Sequence, residues 1–273
     1  MSTSLERHRP RKRFGQHFLH DRGVIERILR LVAPRSGDRL VEIGPGTGAL
    51  TLPLLETLGT LEAVEMDRDL IEPLRARAAA IGTLVIHQGD ALRFDLRRCF
   101  GGQGGLRLIG NLPYNISTPL LFHLLEQRAL ITDMHVMLQR EVVERLTAAP
   151  GSGAYGRLSV MIQYHCETDA LLRVGPGAFQ PPPAVESAVI RLTPRPPVRP
   201  VRCPAVFATV VARAFAQRRK TLRRSLAALA EPIAFDQAGI DPGLRPERLG
   251  VDDFVRLSNH IHGNGGADGP APA

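Results

Sequence analysis

The sequence predicts an α/β protein: an open, doubly wound sheet followed by a small helical domain. Three observations carry that expectation. From about residue 38, short apolar runs alternate with longer helical patterns, as in βαβ units around a parallel sheet. Glycines crowd the first strand-to-helix turn, the edge at which such sheets bind ligands. The segment Thr193–Pro204, with five prolines in twelve residues, then separates this pattern from one with helical spacing.

Taken in order, residues 1–37 read as a basic arm and a first helix that packs on the body of the protein. Strands are predicted at Arg39–Ile43, Leu61–Glu65, Leu84–His87, Leu106–Ile109 and His135–Gln139, with helices at Ala49–Leu58, Asp69–Ala80 and Thr118–Gln127. Ser159–His165, Ala170–Val174 and Ser187–Leu192 have β-type composition and no useful helix between them, so an antiparallel edge is expected there. The proline-rich segment puts the domain boundary near residue 196. Beyond it, 197–262 is expected to be helical, at Ala205–Leu229 (Val206, Val210, Val211, Ala214 and Phe215 at helical spacing) and Pro246–His260. Residues 263–273 have almost nothing to bury and are expected to be disordered.

Composition narrows the function classes. In 273 residues, 44% hydrophobic and 23% charged content excludes a wholly disordered, collagen-like or coiled-coil protein. The net charge of +8 is concentrated. Residues 1–13 carry five basic groups and one acid, and 213–224 carries six basic groups and none; without them 24 basic residues face 26 acidic ones. Two basic segments on a near-neutral body point to a polyanion partner, either nucleic acid or an anionic membrane surface. Cys99, Cys166 and Cys203 form no CxxC pair, so neither a disulfide framework nor a thiolate metal site is expected, and no metal is called for. No apolar run approaches 18 residues and the N-terminus lacks a secretory apolar stretch, which predicts a soluble cytoplasmic protein with no membrane partner and, by default, a monomer.

The chemistry is concentrated at the predicted strand ends. Val41-Glu42-Ile43-Gly44-Pro45-Gly46-Thr47-Gly48 departs from the dinucleotide GxGxxG spacing and lacks the Lys-Ser/Thr of a P-loop; an acid followed by glycines at 44, 46 and 48 is closer to nucleoside methyl-donor sites. Glu65, 21 residues after Gly44, is placed to accept from both hydroxyls of a ribose, and Asp90 could take an adenine amine. Either acid could instead cap a helix or a turn, as Asp67 and Asp69 are expected to do. At the end of the fourth strand stands Asn111-Leu112-Pro113-Tyr114. An exocyclic adenine amine is a poor nucleophile because its lone pair is delocalised into the ring. Accepting its two N–H bonds on the Asn111 side-chain oxygen and the Leu112 carbonyl would draw that lone pair toward an incoming methyl. Pro113 would stiffen the turn, and Tyr114 would stack on a base taken out of its helix. Phe179, in the Gly177–Pro183 loop, is a second candidate stacking face.

These residues sit in segments that together resemble the bacterial small-subunit rRNA adenine N6,N6-dimethyltransferases of the KsgA type. The matching segments are RKRFGQHFLHD (11–21), VEIGPGTGALT (41–51), AVEMDRDL (63–70), GDAL (89–92), IGNLPYNISTPLL (109–121), LQREVVERL (138–146), GRLSV (156–160), GAFQPPPAVESAVIRL (177–192) and FAQRRKTLRRSL (215–226). The resemblance implies a Rossmann-like methyltransferase sheet, S-adenosylmethionine (SAM) as donor with S-adenosylhomocysteine as product, and two adjacent adenines near the 3′ end of 16S rRNA, in the small (30S) ribosomal subunit, as acceptors. By position it implies donor binding by His17, Leu19, Gly44, Gly46, Glu65, Asp90 and Asn111. His17 stands where many members have Asn, and Ala184 where members often have Lys. It also gives the basic arms a purpose, since Arg11, Lys12 and Arg13 near the donor site, and Arg218, Arg219, Lys220, Arg223 and Arg224 in the helical domain, would hold rRNA phosphates. Three other readings compete: a large-subunit rRNA adenine dimethylase of the resistance type, opposed by Leu112, Pro119 and FAQRRKTLRRSL; a non-catalytic rRNA assembly factor; and an NAD-dependent oxidoreductase, opposed by the glycine spacing.

Overall fold

The computed structural model describes residues 16–264. The N-terminal cations Arg11, Lys12 and Arg13, and the tail from 265 onward, lie outside the described residues. The chain divides into two compact units, one ending at 143 and resuming over 167–194, the other made of 144–166 and the residues from 195 onward.

The first unit contains β1 (Phe18–Leu19), α1 (Arg22–Val32), β2 (Arg39–Ile43), α2 (Thr51–Leu58), β3 (Thr60–Glu65), α3 (Arg68–Ala78), β4 (Thr83–Gln88), β5 (Leu106–Asn111), α4 (Ser117–Glu126) and β6 (Ile131–Gln139). Helix α5 (Arg140–Leu146) leads out of it and α6 (Arg157–His165) lies in the second unit. The chain then returns for β7 (Cys166–Val174), β8 (Phe179–Gln180) and β9 (Ser187–Pro194). The seven-stranded sheet has the order β4-β3-β2-β5-β6-β9-β7. Neighbours from β4 to β6 are parallel, and β9 joins β6 antiparallel. Two of the three segments expected at that side of the sheet are strands, β9 antiparallel to β6 and β7 outermost beside it, and all five expected parallel strands form.

The sheet's direction of winding reverses between β2 and β5, and ligands of such sheets bind beyond the C-terminal strand ends at that switch point. Strand β2 is buried on both faces, by Val41 and Ile43 on one and by Leu40 with the carboxyl-bearing Glu42 on the other. At the opposite ends of the strands Arg107 donates to Asp38, Asp133 and the Val32 carbonyl, tying α1, β2, β5 and β6 together. Asp21 caps α1 by accepting from the Val24 N–H, and Asp67 caps α3. The β1–β8 ribbon is a separate pairing of two-residue strands, too short for apolar alternation to predict.

The second unit is helical: α6, α7 (Pro204–Ala216), α8 (Leu222–Ser225), α9 (Pro232–Ala238) and α10 (Val251–Asn264). Its core joins Val160 and Tyr164 to Phe207, Val210, Val211 and Phe254. Three expectations are corrected here. Ser159–His165 is helix, not strand, because Val160 and Tyr164, one turn apart, pack into this core; burial overrides β-type composition. The unit boundary consequently does not fall only near 196, since 144–166 belongs with the later residues. Residues 205–229 do not form one helix: α7 stops at Ala216, and the Leu222 and Arg223 N–H groups donate to the Leu244 and Pro242 carbonyls, which starts α8 afresh.

Candidate active site

Four adjacent strands, β4, β3, β2 and β5, end side by side and deliver Asp90, Glu65, Gly44 and Asn111 to one cavity of about 310 Å³, within the range of small-ligand sites. The ladder holds them in register: Glu65 pairs with Gln88, the Gly44 N–H donates to Val64, and the Gly89 N–H donates to Glu65. Backbone geometry explains the glycines. Gly44 has φ +71°, a region that favours glycine, and a Cβ built on it would meet nothing within 4 Å, so the backbone borders open space. Gly46, at φ +56°, lies under the Phe18 ring, 3.1 Å from where its Cβ would stand.

Glu65 is buried and accepts from the Gly46 N–H (3.2 Å) and the Asp67 N–H (2.7 Å), one on each oxygen. A carboxylate has about four acceptor directions, and with the Met66 N–H also turned toward it at least one remains for a ligand hydroxyl. Burial pushes the Glu65 carboxyl above its ordinary range, against the pull of those N–H groups. Asp90 accepts from the Leu92 N–H (2.9 Å) through one oxygen and keeps the other. An open glycine turn flanked by two carboxylates with spare acceptor capacity fits the adenosyl part of SAM, with Glu65 toward the ribose and Asp90 toward the adenine amine.

The Asn111–Tyr114 tetrad forms a tight turn into α4. The Leu112 N–H donates to Met137, the Ile116 N–H to Pro113, and the Ser117 hydroxyl to the Tyr114 carbonyl. Asn111 Nδ2 donates to the His17 carbonyl (2.8 Å), which fixes the amide orientation and leaves Oδ1 as its acceptor. The Tyr114 hydroxyl shares a hydrogen bond with buried Ser187 (2.5 Å), and His17 stacks on the Tyr114 ring with centroids 5.6 Å apart. Burial pushes the Tyr114 hydroxyl up, so it stays a neutral phenol.

Of the residues expected at the site, His17, Gly44, Gly46, Glu65, Asp90, Asn111, Leu112, Pro113 and Tyr114 line the cavity. Leu19 and Phe179 do not: they pair across β1–β8 and are 5% and 1% exposed, in the core beside Ile28 and Val189. The stacking face expected at Phe179 is therefore buried in that core. Phe18 and Met66 line the cavity and were missed. Phe18 precedes a residue that could be matched by motif, and Met66 stands 53% exposed directly after Glu65, which is the one signal that could have drawn notice. In the second unit Arg218, Arg219, Lys220, Arg223 and Arg224 are all exposed, and Arg218 in addition donates to the Gly153 and Tyr155 carbonyls.

The chain is similar to known proteins over most of its length. Residues 7–262 match the family described as ribosomal RNA adenine dimethylase. A protein named ribosomal RNA small subunit methyltransferase A from Pseudomonas aeruginosa is 54% identical over 260 residues, covering 95% of this chain and 97% of its own. One of the same name from Chromohalobacter salexigens is 55% identical, covering 96% and 94%. Among solved structures, a dimethyladenosine transferase from Plasmodium falciparum superposes with a TM-score of 0.76 at 24% identity over 88% of this chain and 96% of that one, a likeness of fold. The 23S rRNA methyltransferase ErmE gives 0.68 at 25% over 90% and 99%. With the glycine turn, the strand-end acids and the Asn-Leu-Pro-Tyr turn all inside the matched span, the chain belongs to the ribosomal RNA adenine dimethylase family.

Proposed function

We propose that this protein dimethylates N6 of two adjacent adenines near the 3′ end of 16S rRNA, within the small (30S) ribosomal subunit or an assembly intermediate of it, and that it acts as a cytoplasmic monomer. When bound, SAM supplies an electrophilic methyl group on a cationic sulfur. Glu65 holds the donor's ribose and Asp90 its adenine, while the open backbone at Gly44 lets the ligand approach closely. Tyr114 carries His17 on one ring face and offers the other to the target base, at a value on the order of 1–3 kcal/mol. Asn111 Oδ1 and the Leu112 carbonyl accept the N–H bonds of N6. Held by these two acceptors, N6 would take the methyl group that SAM supplies and release one proton to solvent, so no side-chain general base is required.

The observation that carries this reading is the amide orientation of Asn111: one Nδ2 N–H donates to the His17 carbonyl, which sets Oδ1 on the other side of the amide as the acceptor of a residue that lines the cavity. Small-subunit specificity is supported by relatives of that name at 51–55% identity, against 25% for the 23S enzyme. Among the described residues no helix is long and apolar enough to cross a membrane.

The test is transfer of labelled methyl from SAM to small subunits lacking the modification, with large subunits and free 16S rRNA in parallel, followed by nucleoside analysis. Dimethyladenosine on small subunits alone is expected. Label on large-subunit RNA would move the protein to the resistance type, and SAM binding without transfer would make it an assembly factor.

A further inference from the structure

At the open edge of the sheet, away from the cavity, Glu62, His87 and Cys99 bring a carboxylate, an imidazole and a thiol together with their donor atoms all within 4.8 Å of one another. They come from three separate elements: β3, the edge strand β4, and the turn over Leu96–Gly102. None is a surface group. Cys99 is fully buried, and the side chains of Glu62 and His87 are 11% and 15% exposed. His87 Nε2 lies 2.5 Å from Glu62 Oε2, and the Phe100 N–H donates to the other Glu62 oxygen at 2.8 Å. Phe100 has φ +46°, rare for a side-chain-bearing residue, and this turn holds its N–H on Glu62 with Cys99 beside it. Glu62 meets no Lys or Arg in an ion pair among the described residues.

We propose that Glu62, His87 and Cys99 form a binding site for a divalent cation of the zinc class. The donor set is the argument. Sulfur, nitrogen and oxygen together select a borderline ion over magnesium or calcium. A thiolate and a carboxylate carry two negative charges, which cancel a divalent ion and leave a neutral assembly, the condition under which a charge can be buried. Bonds of about 2.0–2.3 Å in a tetrahedron place donors roughly 3.3–3.8 Å apart, so Glu62 and His87 separate by about 1 Å to admit the ion. The thiol proton leaves to solvent, a neutral His87 binds through one ring nitrogen with its proton on the other, and a water completes the tetrahedron from the open edge. Glu62 and His87 each lie three residues before a donor-site acid: Glu65 on the same strand, and Asp90 just past the end of β4. An ion here cross-links β3, β4 and the turn behind the donor site, and it adds a structural function to the fold.

The test uses the full chain, stripped with a chelator and titrated with Zn2+ against a chromophoric competitor, then with Co2+ as a spectroscopic probe. One equivalent is expected, with a thiolate-to-cobalt charge-transfer band that disappears in Cys99→Ser and survives in Cys203→Ser. SAM binding by calorimetry shows that each variant is folded. Should Cys99→Ser fail to fold, His87→Gln and X-ray absorption on the wild-type zinc complex replace it, the latter expected to find one sulfur neighbour. Absence of stoichiometric binding, binding unchanged in a folded Cys99→Ser, or a zinc shell without sulfur each overturns the site.

Discussion

Asn111, Tyr114 and Phe179 are three residues of one motif set with different fates. Asn111 and Tyr114 stand on the cavity wall; Phe179 is core. Their truncations should therefore separate chemistry from stability. On the proposed mechanism Asn111→Ala removes an acceptor for the N6 amine, and single-turnover transfer should fall on the order of 100-fold, the scale for removing one aligned hydrogen-bonding group. Near-normal turnover would remove Asn111 from the mechanism. Tyr114→Ala should weaken base capture on the order of 1–3 kcal/mol while urea unfolding changes far less. Phe179→Ala should do the reverse, lowering unfolding free energy by about 3–5 kcal/mol as a buried aromatic leaves a cavity. If Phe179→Ala unfolds like the parent and loses transfer, the ring leaves the core to meet the base. Chain alternation could not tell these cases apart, since Phe179 reads equally well as a loop-presented ring or as the inward residue of a two-residue strand.

At the scale of the element, the turn between β2 and α2 is pinned by a buried pair. Thr51 Oγ1 donates to Glu42 Oε2 at 2.6 Å, across the span of the three glycines. Burial pushes the Glu42 carboxyl up to about 7; the Thr51 hydrogen bond pulls back and the Glu65 carboxylate adds to the rise. A carboxyl that binds its proton more tightly when folded contributes most below its unfolded value of about 4.5, and stability falls as pH climbs to about 7. Glu42→Gln should flatten that slope. In urea titrations it should gain roughly 1–3 kcal/mol on the parent at pH 8 and much less at pH 5. Parallel slopes in the two proteins would show that Glu42 is ionised throughout. The parallel strands and their helices were readable from apolar spacing because each buries its own face, whereas α6 was not. Its residues have strand-type composition, and only the core around Phe207 makes the helical face the apolar one.

For the whole molecule, charge is the quantity that acts at a distance. The basic run of the second unit lies on an exposed turn and the short α8, not on one helix face. Replacing Arg219, Lys220, Arg223 and Arg224 by Gln should weaken association with small subunits and reduce the slope of log K against log salt by roughly 0.7–0.9 for each phosphate no longer neutralised. An unchanged slope would place the RNA elsewhere. Arg218→Gln should instead lower the melting temperature, because its guanidinium spans the Gly153 and Tyr155 carbonyls. The sequence alone determined the parallel sheet, the strand edge with its glycines and acids, and the Asn-Leu-Pro-Tyr turn, because each depends on local spacing: apolar period, glycine at positive φ, an acid at a strand end. Only the tertiary structure decided that Phe179 and Leu19 are core, that Arg218 is a strut, that 144–166 joins the later helices, and that Glu62, His87 and Cys99 meet. Burial and long-range pairing have no period along the chain; they exist only once distant segments cover one another.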